Sequence, residues 1–153
     1  MNSGVNSQKK ILLVEDIKPL ALSGIKKLER IGYSAFHVET GEEAIEYCRT
    51  NFAEIDLILM DIDLGAGIDG TIAAEEILRH FEIPILFLSS HTEKDIIEKT
   101  EKITSYGYLL KDSDLTVLSA SIKMAFRLFE ANRRLREHER ELSFANLKLT
   151  LAF

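Results

Sequence analysis

Four apolar runs in this sequence end abruptly in groups capable of chemistry. Ile11-Leu12-Leu13-Val14 runs into Glu15-Asp16, Ile58-Leu59-Met60 into Asp61, Ile85-Leu86-Phe87-Leu88 into Ser89, and Tyr108-Leu109-Leu110 into Lys111. A short, continuously hydrophobic segment reads as a strand buried on both faces, and nothing in such a strand needs a carboxylate at its tip. Taken alone, Asp61 is a reactive group, a metal ligand or a helix cap. Glu15-Asp16 alone suits a cap, Ser89 a strand-end hydroxyl and Lys111 a solvated lysine. If the four tips share one edge of a sheet, they describe a single site. Carboxylates brought that close repel one another, so one is protonated or a cation sits among them. Oxygen ligands without histidine or cysteine suit magnesium. A lysine and a serine hydroxyl beside such a cation make a pocket for a dianionic phosphoryl group, which an aspartate can accept covalently.

The elements between the tips supply that shared edge. Pro19 suits the first turn of a helix whose inner face is Leu20, Ile25, Leu28 and Ile31, ending at Gly32. Tyr33 to Val38 reads as a short strand, and Thr40 with Glu43 as the capping box of a helix over roughly 42–50. Gly65, Gly67 and Gly70 make a loop before a helix marked by Ile72, Ala73, Ile77 and Leu78. Thr92 with Asp95 suits the cap of a helix carrying Ile96, Ile97 and Ile103, and Tyr106 to Leu110 is the last strand. From Asp114 a helical pattern runs on without an obvious stop. Five alternations of strand and helix predict a flavodoxin-like, doubly wound five-stranded parallel sheet. Its ligands bind beyond the carboxyl ends of the strands.

With 153 residues, 46% of them apolar, the chain can bury one core, and a net charge of -6 argues against direct nucleic-acid binding. Cys48 is the only cysteine, which excludes an internal disulfide and a cysteine-based metal cluster; its apolar neighbours predict an ordinary buried thiol. No apolar stretch is long enough to span a bilayer, so a cytoplasmic protein with no membrane partner is expected. His37, His80, His91 and His138 lack partners at ligand spacing; only His91 falls beside the pocket.

The segments ILLVED, LILMDIDL, ILFLSS and YGYLLK resemble, in order and spacing, the response-regulator receiver domain of two-component signalling. The resemblance covers about residues 9–130. It implies that Asp61 is the phospho-acceptor, that Asp16 binds Mg2+ directly, and that Glu15 does so largely through water. Asp63 would lend the metal its backbone carbonyl, Ser89 would swing to the phosphoryl group, Lys111 would be the family's lysine, and Tyr108 its aromatic switch. The donor would be a histidine kinase or a histidine phosphotransfer protein. Asp112 stands where the family usually has proline.

Two other readings compete. Asp61-Ile-Asp63 looks like the start of a calcium loop, but Ala66 and Ile72 occupy its glycine and glutamate positions. It also resembles the nucleophile motif of haloacid-dehalogenase-type phosphohydrolases, which normally opens the first strand of the fold. Here a strand pair precedes it and Gly65 stands where Thr or Val is usual.

Beyond the receiver-like segment, Leu128, Leu135, Leu142 and Leu149 recur every seven residues without proline or glycine between them. One leucine per heptad is half a coiled-coil seam. Arginines 127, 133, 134, 136 and 140 interleave with glutamates 130, 137, 139 and 141, which reads as a solvated face. The organisation expected is a disordered lead-in at 1–8, a receiver at 9–130 and a helical extension at 131–153 that pairs with a second copy. The chain would then be a phosphorylation-controlled switch for an output or a dimer. Otherwise it would be a phosphate shuttle or sink whose long helix is incidental. Its segments are also similar to receivers joined to PAS sensors or histidine kinases.

Overall fold

The computed structural model describes residues 8–90, 94–104 and 106–151. The expected lead-in, apart from Gln8, lies outside these residues, as do His91 and the Thr92 cap. Five strands, β1 (Lys10–Val14), β2 (Ser34–Val38), β3 (Leu57–Asp61), β4 (Ile85–Ser89) and β5 (Tyr108–Leu110), alternate with α1 (Lys18–Arg30), α2 (Gly41–Asn51), α3 (Gly70–His80), α4 (Lys94–Ile103) and α5 (Leu115–Leu151). All neighbouring strands pair in parallel, in the order β2-β1-β3-β4-β5.

The period of two along each strand divides the core. Ile11, Leu13, Leu57 and Leu59 face one side, where Ala21 and Leu28 of α1 and Leu118, Ile122 and Ala125 of α5 cover them. Leu12, Val14, Ile58 and Met60 face the other, against Ala44 and Cys48 of α2 and Ala73, Ala74 and Ile77 of α3. Both faces are therefore dry, which is why these strands read as unbroken apolar runs. Cys48 is fully buried, and burial pushes its thiol up to about 11.

Several local expectations shift. Leu20 is 47% exposed, because Ala21 and Leu28 carry the buried stripe of α1 and leave Leu20 at its rim. No side chain caps α1, so neither Glu15 nor Asp16 is used for that purpose. At α2, Thr40 Oγ1 accepts from the Glu43 amide at 3.1 Å, while the Glu43 carboxylate reaches past Thr40 to the Glu39 amide. β5 begins at Tyr108 rather than Tyr106, since Gly107 has a φ of 100°.

The last helix runs unbroken for 37 residues. Asp114 Oδ1 receives the Val117 amide at its start. Where α5 leaves the domain, Phe126 meets the Tyr33 ring and the Lys9 ammonium, Phe129 meets Tyr106, and Arg136 pairs with Glu82. Leu128, Leu135, Leu142 and Leu149 are all exposed on its surface.

Candidate functional site at the carboxyl edge of the sheet

Strand register assembles the site. Val14 lies opposite Met60, Asp61 opposite Leu88, and Ser89 opposite Leu110. The residues that end or follow these strands, Glu15, Asp61, Ser89 and Lys111, therefore fall along one edge. Backbone bonds carry the pairing across it: Glu15 N donates to Val38 O, Ile62 N to Leu88 O, and Lys111 N to Ser89 O at 2.9 Å.

Asp61 is completely buried, and both of its oxygens are held. Oδ1 accepts the Asp63 amide at 3.0 Å, and Oδ2 accepts Lys111 Nζ at 2.6 Å. Lys111 also reaches Glu15 Oε2 at 3.3 Å. Glu15, Asp16 and Asp61 each bring a carboxylate oxygen within 4.8 Å of the others. Three carboxylates against one ammonium leave two negative charges without a partner in this cluster. Burial first, then the neighbouring Glu15, push the Asp61 carboxyl up to about 7, against the pull of Lys111. Burial by itself would lower the Lys111 ammonium, but Asp61 and Glu15 outweigh it and the net shift is upward.

The donor set fits a divalent cation. Among the described residues, Glu15 Oε1 and Asp16 Oδ1 are buried and have no hydrogen-bond partner. Asp16 is fastened by its other oxygen, Oδ2, to the Gly65 amide at 3.0 Å. Hard carboxylate oxygens with no nitrogen or sulfur suit Mg2+. Asp63 contributes its amide to Asp61, and its own carboxylate lies outside the cluster of three. Ser89 is buried at the tip of β4. Tyr108 is half-buried and packs against the core that contains Phe87.

Asp69 was not foreseen from the sequence, and Gly70, expected in the loop, is instead the first residue of α3. Asp69 caps α3, accepting the Thr71 and Ile72 amides at 2.8 and 3.0 Å, and the Asp-Gly-Thr order was the available signal. Gly70 lies directly against the Asp61 backbone: an added Cβ would collide with the Asp61 carbonyl oxygen. Gly70→Ala is therefore expected to cost about 3 kcal/mol, read as a lowered urea midpoint. An unchanged midpoint would mean that the loop yields freely there.

A doubly wound parallel sheet with an acid cluster and a lysine at its carboxyl edge defines a class of α/β domain. Comparison narrows it: the family profile of the response regulator receiver domain matches residues 11–123. The chain belongs to that family. It is 44% identical to the N-terminal domain of a response regulator/sensory box/GGDEF 3-domain protein from Carboxydothermus hydrogenoformans, with a TM-score of 0.74 over 81% of this chain and 98% of that one. It is 29% identical over 123 residues to the response regulator UvrY of Escherichia coli K12, covering 76% of this chain and 53% of UvrY. It is 26% identical over 114 residues to the sensor kinase CckA of Brucella abortus, covering 74% of this chain and 12% of CckA. The chain thus spans about half the length of UvrY and far less of CckA. Among the described residues, no helix is long and apolar enough to cross a membrane.

Proposed function

We propose that this chain accepts a phosphoryl group on Asp61 from a histidine kinase or histidine phosphotransfer protein, with Mg2+ held by Glu15 and Asp16. The carrying observation is the Asp61 carboxylate itself, buried on the central strand and clamped by the Asp63 amide and Lys111. Clamping both oxygens sets the attack direction before a donor arrives. In the transfer, the phosphorus–nitrogen bond of the donor breaks as an oxygen–phosphorus bond to Asp61 forms. When bound, the cation neutralises charge on the carboxylates and the transferred oxygens. Lys111 then moves its ammonium from the free carboxylate to a phosphoryl oxygen, Ser89 turns its hydroxyl toward another, and Tyr108 follows the vacated space. Incubation with acetyl phosphate and Mg2+, followed by intact mass, should show one phosphate adduct. No adduct would defeat the reading.

The same reading makes residues 9–130 the receiver and 131–153 a signalling extension. Four leucines at heptad spacing stand exposed on α5, from 38% at Leu128 to 62% at Leu149. A second copy pairing in parallel would bury them. Attachment to a sensor or output fits the likeness to the three-domain protein from Carboxydothermus hydrogenoformans. Sedimentation with the phosphoryl mimic beryllofluoride should show a heavier species than sedimentation without it. Unchanged mass and shape would leave the phosphate-shuttle role instead.

A further inference from the structure

The loop joining β3 to α3 begins at the acceptor and holds Asp16, yet its own sequence gives it little stiffness. It contains Gly65, Ala66 and Gly67 in succession, and Gly67 has a φ of 78°. Within it the Gly65 amide fastens Asp16 Oδ2, while Asp16 Oδ1 is buried with no hydrogen-bond partner among the described residues. An Asp16 carboxylate oxygen lies within 4.8 Å of oxygens of Glu15 and Asp61. Three residues later the loop is fastened again, by a side chain from another element. Glu42, in the first turn of α2, accepts the Ile68 amide on Oε1 at 2.5 Å. Its carboxylate lies so close to Gly67 that any Cβ there would collide with it. The adjoining Gly41 packs as tightly, since a Cβ on it would come within 2.8 Å of Ile68 and 2.9 Å of Ala73.

We propose that Glu42 is a positioning residue for the Mg2+ site: by latching Ile68 it holds the loop so that the Gly65 amide keeps Asp16 aimed at the cation. The inference rests on the phospho-acceptor reading above and adds a residue 26 positions from the amide it holds. A glycine-containing loop released at Ile68 samples many backbone states, and Asp16 then loses its fixed orientation. Partners that orient metal ligands in this way matter to affinity more than to the chemistry of the loaded site.

The test is a calorimetric Mg2+ titration of the full chain, beside wild type, for Glu42→Ala, Glu42→Gln and Gly67→Ala. Glu42→Ala should weaken Mg2+ binding roughly tenfold, while phosphorylation by acetyl phosphate at saturating Mg2+ stays near the wild-type rate. Glutamine keeps a carbonyl oxygen for the Ile68 amide and should restore most of the affinity. Gly67→Ala keeps the charge but pushes the carboxylate away, and should resemble Glu42→Ala. Amide exchange at Gly65 and Ile68 should quicken in the two weak binders. Wild-type affinity in Glu42→Ala overturns the proposal. So does equal weakening in the alanine and glutamine variants, which would make the effect one of charge alone. A lowered melting temperature with unaltered affinity would reduce Glu42 to a structural role. If wild type itself bound no Mg2+ and formed no adduct, the phospho-acceptor reading would fail, and this inference with it.

Discussion

Asp61→Asn should form no phosphate adduct with acetyl phosphate and Mg2+, under conditions where the wild-type chain is stoichiometrically modified. The amide has nearly the shape of the carboxylate, so the Asp63 amide can still be accepted and the fold retained. What disappears is the proposed nucleophile and one of the three carboxyl groups in the cluster. Neighbouring carboxylates do not substitute easily. Glu15 is engaged by Lys111 through Oε2, and Asp16 is tied to Gly65 through Oδ2. The effect is therefore all-or-none rather than a graded loss of transition-state stabilisation. An adduct of wild-type yield on Asp61→Asn would refute Asp61 as the acceptor.

The second large effect concerns pH and Mg2+ together. The Asp61 carboxyl has an ordinary value of 3.8 and is pushed up to about 7 in the folded chain, chiefly by burial and then by Glu15. Between those values the folded state holds a proton that the unfolded chain has lost. The contribution of this group to stability is thus complete at low pH and is lost as pH rises through about 7. Integrated over that window it amounts to about 4 kcal/mol at most. Mg2+ competes with the same proton, so its binding should tighten as pH rises toward about 8 and its stabilising effect should grow in step. Melting temperatures with and without Mg2+, taken between about pH 5 and 8, should diverge as pH increases. Asp61→Asn should flatten the metal-free profile. Parallel metal-free profiles for the two proteins would show that Asp61 does not carry this linkage.

The parts of the fold readable in the sequence are those governed by local pattern. Strands buried on both faces appear as unbroken apolar runs, so Ile11–Val14 and Ile85–Leu88 announce themselves, and the polar residue that stops each run marks the sheet edge. The order of these tips also brought Glu15, Asp16, Asp61 and Lys111 to one site. What stayed hidden depends on contacts between distant segments. Periodicity could not tell that Leu20 would sit at a rim, because its exposure depends on what α1 packs against. The closeness of Gly70 to the Asp61 carbonyl and the hold of Glu42 on Ile68 are likewise properties of assembled loops. The Asp69 cap was local and its residue type was visible, but the apolar marks of α3 gave no exact starting point.

The continuity of α5 makes the domain and its extension one lever. At 1.5 Å per residue, the stretch from Glu130 to Leu151 projects about 33 Å past the aromatic seat at Phe126 and Phe129. A tilt of only about 10° at that seat would carry the far end through roughly 6 Å over such a length. Beyond the seat, the exposed Arg136–Glu82 pair adds at most about 1 kcal/mol against such a tilt. Small rearrangements beneath α5 therefore arrive at its tip enlarged.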